Sequence, residues 1–100
     1  MNCDFIVFGH GHDGVLRDTE YNGEETVALE PAAVIFANRA GMDNGPIMRP
    51  LGPVIFRVIR HRSRVDGHNY YIAIGEGAIE EEILESIDFK IIGFRPRQAN

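Results

Sequence analysis

The stretch VIFRVIRHRSRVDGHNYYIAI, residues 54–74, decides the fold. Apolar, β-branched and aromatic residues run up to Asp66-Gly67 from both sides. An Asx-Gly pair between two such runs signals a β-hairpin, because its tight turn needs positive φ at both central positions. With Asp66 and Gly67 as a two-residue loop, Val65 pairs with His68, Ser63 with Tyr70, His61 with Ile72 and Ile59 with Ile74, all on one face. Ile55, Ile59, Ile72 and Ile74 mark that face as core. The other face then carries Arg60, Arg62 and Arg64 opposite Ala73, Tyr71 and Asn69, with neighbouring arginines about 6.6 Å apart.

Guanidiniums so placed repel one another unless something compensates them, and three readings follow. A charged ridge can guard a solvated sheet edge against pairing with other chains. It can receive an acidic protein surface, including the Glu80, Glu81, Glu82 and Glu85 segment of its own chain or of a second copy. It can also hold a single-stranded nucleic acid, with Tyr71 stacking on a base. The whole chain counsels against the last. It holds 15 acidic and 10 basic residues for a formal charge of −5, and the summed field governs long-range attraction to a polyanion. The positive charge is local: Arg49, Arg57, Arg60, Arg62 and Arg64 face only Asp66 within residues 49–75, between two acidic flanks.

Outward from the hairpin, three more Asx-Gly pairs, Asp13-Gly14, Asn22-Gly23 and Asn44-Gly45, mark turns. Between them Asp4–Phe8, Val15–Tyr21 and Glu25–Glu30 read as strands. Phe5-Ile6-Val7-Phe8 is apolar without alternation, the pattern of a strand covered on both faces, and this places it centrally in the sheet. Segment 31–40 fits a helix, with Pro31 and Gly41 at its ends, as well as it fits a strand built on Val34-Ile35-Phe36. The Gly- and Pro-rich residues 41–53 form a long loop. Ala78–Ile87 is the surest helix, with Ile79, Ile83, Leu84 and Ile87 in one stripe and Glu80, Glu81 and Glu82 favouring its first turn. Phe89–Phe94 reads as a last strand, and residues 95–100 as a frayed tail. The expected architecture is α+β: a mostly antiparallel sheet of about five or six short strands, with the 78–87 helix on one face and a second helix over 31–40 as an option. At 100 residues, 44% of them hydrophobic, the chain has room for one core, a single domain over 1–94.

Other classes of function find little support. Cys3 is the single cysteine, so no disulfide framework exists and a reducing, cytoplasmic setting fits. No apolar run approaches a membrane span, and no secretory leader pattern opens the sequence. Ser63 and Ser86 lie outside any G-x-S-x-G, and neither a phosphate-binding nor a dinucleotide-binding glycine motif occurs.

One motif invites a metal. Gly9-His10-Gly11-His12-Asp13-Gly14 ends an apolar strand with two imidazoles and a carboxylate, and in extended geometry His10 and His12 share a side as a chelating pair needs. The stretch Val7-Phe8-Gly9-His10-Gly11-His12 resembles the strand-plus-GHxH end of the calcineurin-like metallophosphoesterases, where both histidines ligate metals. The likeness covers about ten residues and lacks the family's earlier D-x-H, G-D and G-N-H-[DE] motifs, so the activity is not carried over. His61 and His68 fall about 13 Å apart along the hairpin and do not complete a site. The expected function is a cytoplasmic, non-enzymatic, self-associating binding protein that uses Arg60, Arg62, Arg64 and Tyr71. A weak metal-dependent hydrolase built on His10, His12 and Asp13, with a divalent cation as cofactor, is the alternative.

Overall fold

The computed structural model describes residues 1–32 and 52–99. Five strands, β1 (Asn2–Gly9), β2 (His12–Glu20), β3 (Thr26–Leu29), β4 (Val54–Arg62) and β5 (Asn69–Ile74), precede one helix, α1 (Glu80–Phe94). The strands form one sheet in the order β2-β1-β5-β4-β3. β1–β2, β3–β4 and β4–β5 are antiparallel, while β1 and β5 run parallel, so the sheet is mixed and the fold is α+β. The parallel pair joins the two most buried strands, Phe5 beside Tyr71 through Phe8 beside Ile74. A parallel pair demands burial on both faces, and Phe5, Ile6 and Val7 are wholly buried. The expectation of a central strand at residues 5–8 holds.

Both faces of the sheet carry a core. On one, Ile6, Phe8, Tyr70, Ile72 and Ile74 pack against Ile83, Ile87 and Ile91 of α1. On the other lie Phe5, Val7, Tyr21, Val27, Leu29, Phe56 and Ala73. The helix corrects the sequence reading, because it runs on through residues 89–94, where a strand was expected. Ile91 extends the i, i+4 stripe of Ile83 and Ile87, and no glycine or proline interrupts Ser86 to Phe89, so burial of the stripe outweighs the β preference of Ile91-Ile92. Arg95 ends the helix in the left-handed region, with φ 54° and its N–H donating to the Ile91 carbonyl, a conformation usually left to glycine. Pro96, which cannot continue a helix, follows and is buried. Beyond it the backbone N–H of Arg97 donates to Asp4 Oδ2 at 2.8 Å and its guanidinium to Asp4 Oδ1 at 2.7 Å. The Ala99 N–H donates to the Asn69 carbonyl at 2.7 Å, so residues 97–99 lie against β1 and β5.

The β1–β2 turn falls three residues earlier than the Asp13-Gly14 pair suggests. Gly9 pairs with His12, and His10 and Gly11 at the tip have φ 50° and 89°, the positive values a two-residue hairpin turn needs. Gly14, at φ 84°, is instead the extra residue of a β-bulge, where the register jumps from Val7–Val15 to Phe8–Asp13. The helix-or-strand question over 31–40 falls, from residue 33 onward, outside the described residues.

Gly9 is a test of how tightly β1 and β5 meet. Its φ is 95°, and a Cβ there would lie 2.7 Å from the Gly75 Cα and overlap the Gly75 carbonyl. Gly9→Ala is expected to cost at least about 3 kcal/mol in urea unfolding, combining left-handed strain with a backbone clash. Gly23→Ala, at φ 93° but with nothing within 4 Å, should cost only about 1 kcal/mol.

Candidate partner-binding face

The β4–β5 hairpin exists, with a register two residues away from the two-residue-loop expectation. Ile59 pairs with Ile72, Arg60 with Tyr71, His61 with Tyr70 and Arg62 with Asn69. The Ser63 N–H donates to the His68 carbonyl at 2.9 Å, so Arg64 to Gly67 form a four-residue loop. Side chains in the loop select the longer turn. The Val65 N–H donates to Ser63 Oγ, the His68 N–H to Asp66 Oδ1 at 2.9 Å, and the Tyr70 hydroxyl to Asp66 Oδ2 at 2.6 Å. Asp66 thus holds both the turn and the following strand. The bond from Tyr70 is the main reason its carboxyl sits below the ordinary range. The same bond pushes the Tyr70 hydroxyl up to about 12.

A slip of two residues keeps every strand residue on its face, whereas a slip of one would exchange the faces. Ile59, Ile72 and Ile74 therefore remain inward, whereas Ile55, expected in the core, is 60% exposed because it lies beyond the stretch of β4 paired with β5; Arg60 and Arg62 stay together on the face away from α1. Arg64 does not. Placed in the loop and no longer on the strand, it turns to the helix side, where its Nε donates to Asp88 Oδ2 at 2.9 Å. The expected ridge of three arginines is a pair. Arg57, on the helix face, donates to Glu80 at 2.7 Å. Thus α1 carboxylates neutralise Arg57 and Arg64, while Arg60 and Arg62 have no ion-pair or hydrogen-bond partner for their guanidiniums among the described residues.

Tyr71, directly across from Arg60, is held by two other rings. It stacks on Phe5 with centroids 5.5 Å apart and meets Tyr21 edge-on at 5.0 Å. Tyr21 is fixed in turn by donating its hydroxyl to the Glu24 carbonyl, and burial raises its pKa above the ordinary value. A ring held on two sides presents a fixed surface beside the Arg60 cation. The backbone here is also open. β3 pairs with β4 only as far as Thr26 opposite Arg57, and the Val58 N–H donates to the Glu25 carbonyl. In the alternating ladder the N–H and C=O groups of Arg60 and Arg62 point the same way as those of Val58, and no strand meets them among the described residues. Among the described residues, two unpaired guanidiniums, a strand edge without a neighbour and, across the ladder, the braced Tyr71 thus coincide around residues 60–62.

The histidine motif has another use in this fold. His10 Nε2 donates to the Ile55 carbonyl at 3.3 Å and His12 Nε2 to the Glu30 carbonyl at 2.9 Å, roles assigned from the carbonyl acceptors. Both rings lie near Phe56, at 4.9 and 6.1 Å between centroids. They fasten the β1–β2 turn to β4 and to the chain after β3. Among the described residues no group of three or more His, Cys, Asp or Glu side chains is placed to hold a metal ion, so Asp13 does not join the histidines. No helix among them is long and apolar enough to cross a membrane. No protein-family model, curated protein or solved structure matches the chain.

One polar centre escaped the sequence reading. Asp88 accepts from His61 Nε2 at 3.0 Å and from Arg64 on its other oxygen, with His61 and Asp88 both largely shielded. The bond from His61 is the chief cause that lowers its pKa. A depressed carboxyl stabilises the fold fully above its unfolded pKa and loses that contribution as pH falls through the folded value. Wild-type stability in denaturant should therefore drop from roughly pH 5 to pH 3. Asp88→Asn should be less stable at neutral pH and show a shallower acid dependence, and an unchanged slope would remove Asp88 from that role.

Proposed function

We propose that the protein is a cytoplasmic, non-enzymatic binding module that receives an acidic, extended protein segment along residues 59–62 of β4. Arg60 and Arg62 are the anion anchors and Tyr71 the platform between them and the aromatic core. The observation that carries this reading is the division of the hairpin arginines: two are paired with the helix of the same chain, and the two that have no partner among the described residues share one face and one edge that no described strand meets. Main-chain pairing along a free edge supplies affinity, and side chains beside it supply choice of ligand.

The competing occupants are weaker on physical grounds. Two cations release few counterions, so a nucleic acid would gain little on a chain of charge −5. The acidic helix of a second copy, set against this face, would make a head-to-tail contact between two different surfaces, which propagates into rings or filaments. A bare edge guard needs charge alone and gives no role to the bracing of Tyr71.

The test is a fluorescence titration with an extended Asp- and Glu-rich peptide and, in parallel, a single-stranded oligonucleotide. The combined variant Arg60→Ala, Arg62→Ala should weaken peptide binding by about tenfold or more, about 1.4 kcal/mol. Arg64→Ala should leave it unchanged. Peptide affinity indifferent to the double variant, or tighter binding of the oligonucleotide, would overturn the proposal.

A further inference from the structure

Arg60 and Arg62 each present a cation and a stretch of backbone to the same ligand. Their side chains share the face away from α1, and their N–H and C=O groups point to the side of β4 that no described strand meets. Val58, two residues earlier, fixes that direction, since its N–H donates outward to the Glu25 carbonyl at 2.9 Å. Across the ladder on the inner side stand Tyr71 and Asn69, neither of them charged. A carboxylate for these arginines must therefore come from the open edge. His61, between them, is the reverse on both counts. Its backbone groups point towards β5, and its ring turns to α1, where it lies 3.0 Å from Asp88 Oδ1.

A segment pairing with this edge meets the two arginines two residues apart. Laterally adjacent residues of a sheet point to the same face whichever way the strands run, so the ligand residue beside Arg60 shares its face, with Cβ atoms about 5 Å apart. The residue beside Arg62 does likewise. The ligand residue between them points to the opposite face, beside His61. There Asp88 already holds both His61 and Arg64, so an acid at the middle position meets a carboxylate in place and no unpaired cation. We infer that the segment received by β4 carries its acids at alternate positions, acid-x-acid with an uncharged middle residue, one carboxylate beside Arg60 and the other beside Arg62.

This pattern rests on the reading of β4 as the receiver of an acidic extended segment, and it adds the spacing that such a segment must have. Consecutive acids do not serve, because in an extended chain neighbouring side chains point to opposite faces and only one of them reaches an arginine. An acidic helix does not serve either, since the backbone groups of its interior are already bonded to one another and leave nothing for the edge.

Two labelled, threonine-rich peptides of identical composition test it against the whole chain, one with Glu-Thr-Glu at its centre and the other with Glu-Glu-Thr. The first should bind roughly twofold to fivefold tighter, the worth of one exposed ion pair. Arg60→Ala and Arg62→Ala should each bring the two peptides to equal affinity, since a single arginine uses a single carboxylate. Both side chains are exposed, so the circular-dichroism melt of each variant should match that of the wild type. Methylating every backbone nitrogen of the Glu-Thr-Glu peptide should abolish its binding, because the edge then receives no N–H donor. Equal affinity of the two peptides for the wild type, or a preference that survives either variant, would overturn the alternating pattern and leave the acidic-segment reading in place. Failure of both peptides to bind, or undiminished binding of the methylated one, would overturn the two together.

Discussion

The structure depends on the pairing of β1 with β5. These are the two most buried strands, and once they lie side by side neither can face water on either side. The sheet must then be covered twice. The isoleucine stripe of α1 covers one face and an aromatic cluster around Phe5, Phe56, Tyr21 and Tyr71 occupies the other. The closeness of the pair, which excludes a Cβ at Gly9, also positions the His10 turn, whose N–H donates to the Glu76 carbonyl just before the helix begins.

From that pairing follows the allocation of charge. Residues of β4 alternate between the faces with a period of two, so Arg57 and His61 meet the helix while Arg60 and Arg62 cannot. The carboxylates of α1 are used accordingly: Glu80 for Arg57, Asp88 for His61 and Arg64. Glu80 with Arg57 is largely exposed and contributes little to stability. Asp88 is shielded and takes two donors, which makes it the stronger link between helix and hairpin. The candidate face at Arg60 and Arg62 is thus the side of β4 that the carboxylates of α1 do not reach.

Much of this was legible in the residues. Unbroken apolar runs marked β1 as interior, and the Asp66-Gly67 hairpin with its outward Arg60 and Arg62 could be read because face assignment depends only on parity, which a two-residue slip preserves. What depended on side-chain chemistry was harder. The longer loop is chosen by Ser63 and Asp66 bonding to nearby backbone groups, and that choice moved Arg64 to the helix. The continuation of α1 past Ile87 rests on Ile91 meeting the core, a tertiary gain that local preference for strand at residues 89–94 opposes. Asp88 left no local signal, since its partners lie 24 and 27 positions away and its own segment read as the approach to a strand. His10 and His12 looked like ligands because glycine-flanked imidazoles suit an ion. Carbonyl oxygens on neighbouring strands suit them equally.

The side-by-side placement of β1 and β5 also governs how the chain reaches its final form. β1–β2 and β4–β5 are each closed by short loops and can assemble on their own, whereas Phe5 and Tyr71 must find each other across most of the polypeptide. Closing so long a stretch is entropically costly before any contact rewards it, and distant pairings of this kind set folding rates. Of the strand pairings in this sheet, β1–β5 therefore carries the largest loop-closure cost. Any state in which it is open leaves the inner margins of β1 and β5 without a ladder partner, the kind of margin at which chains associate.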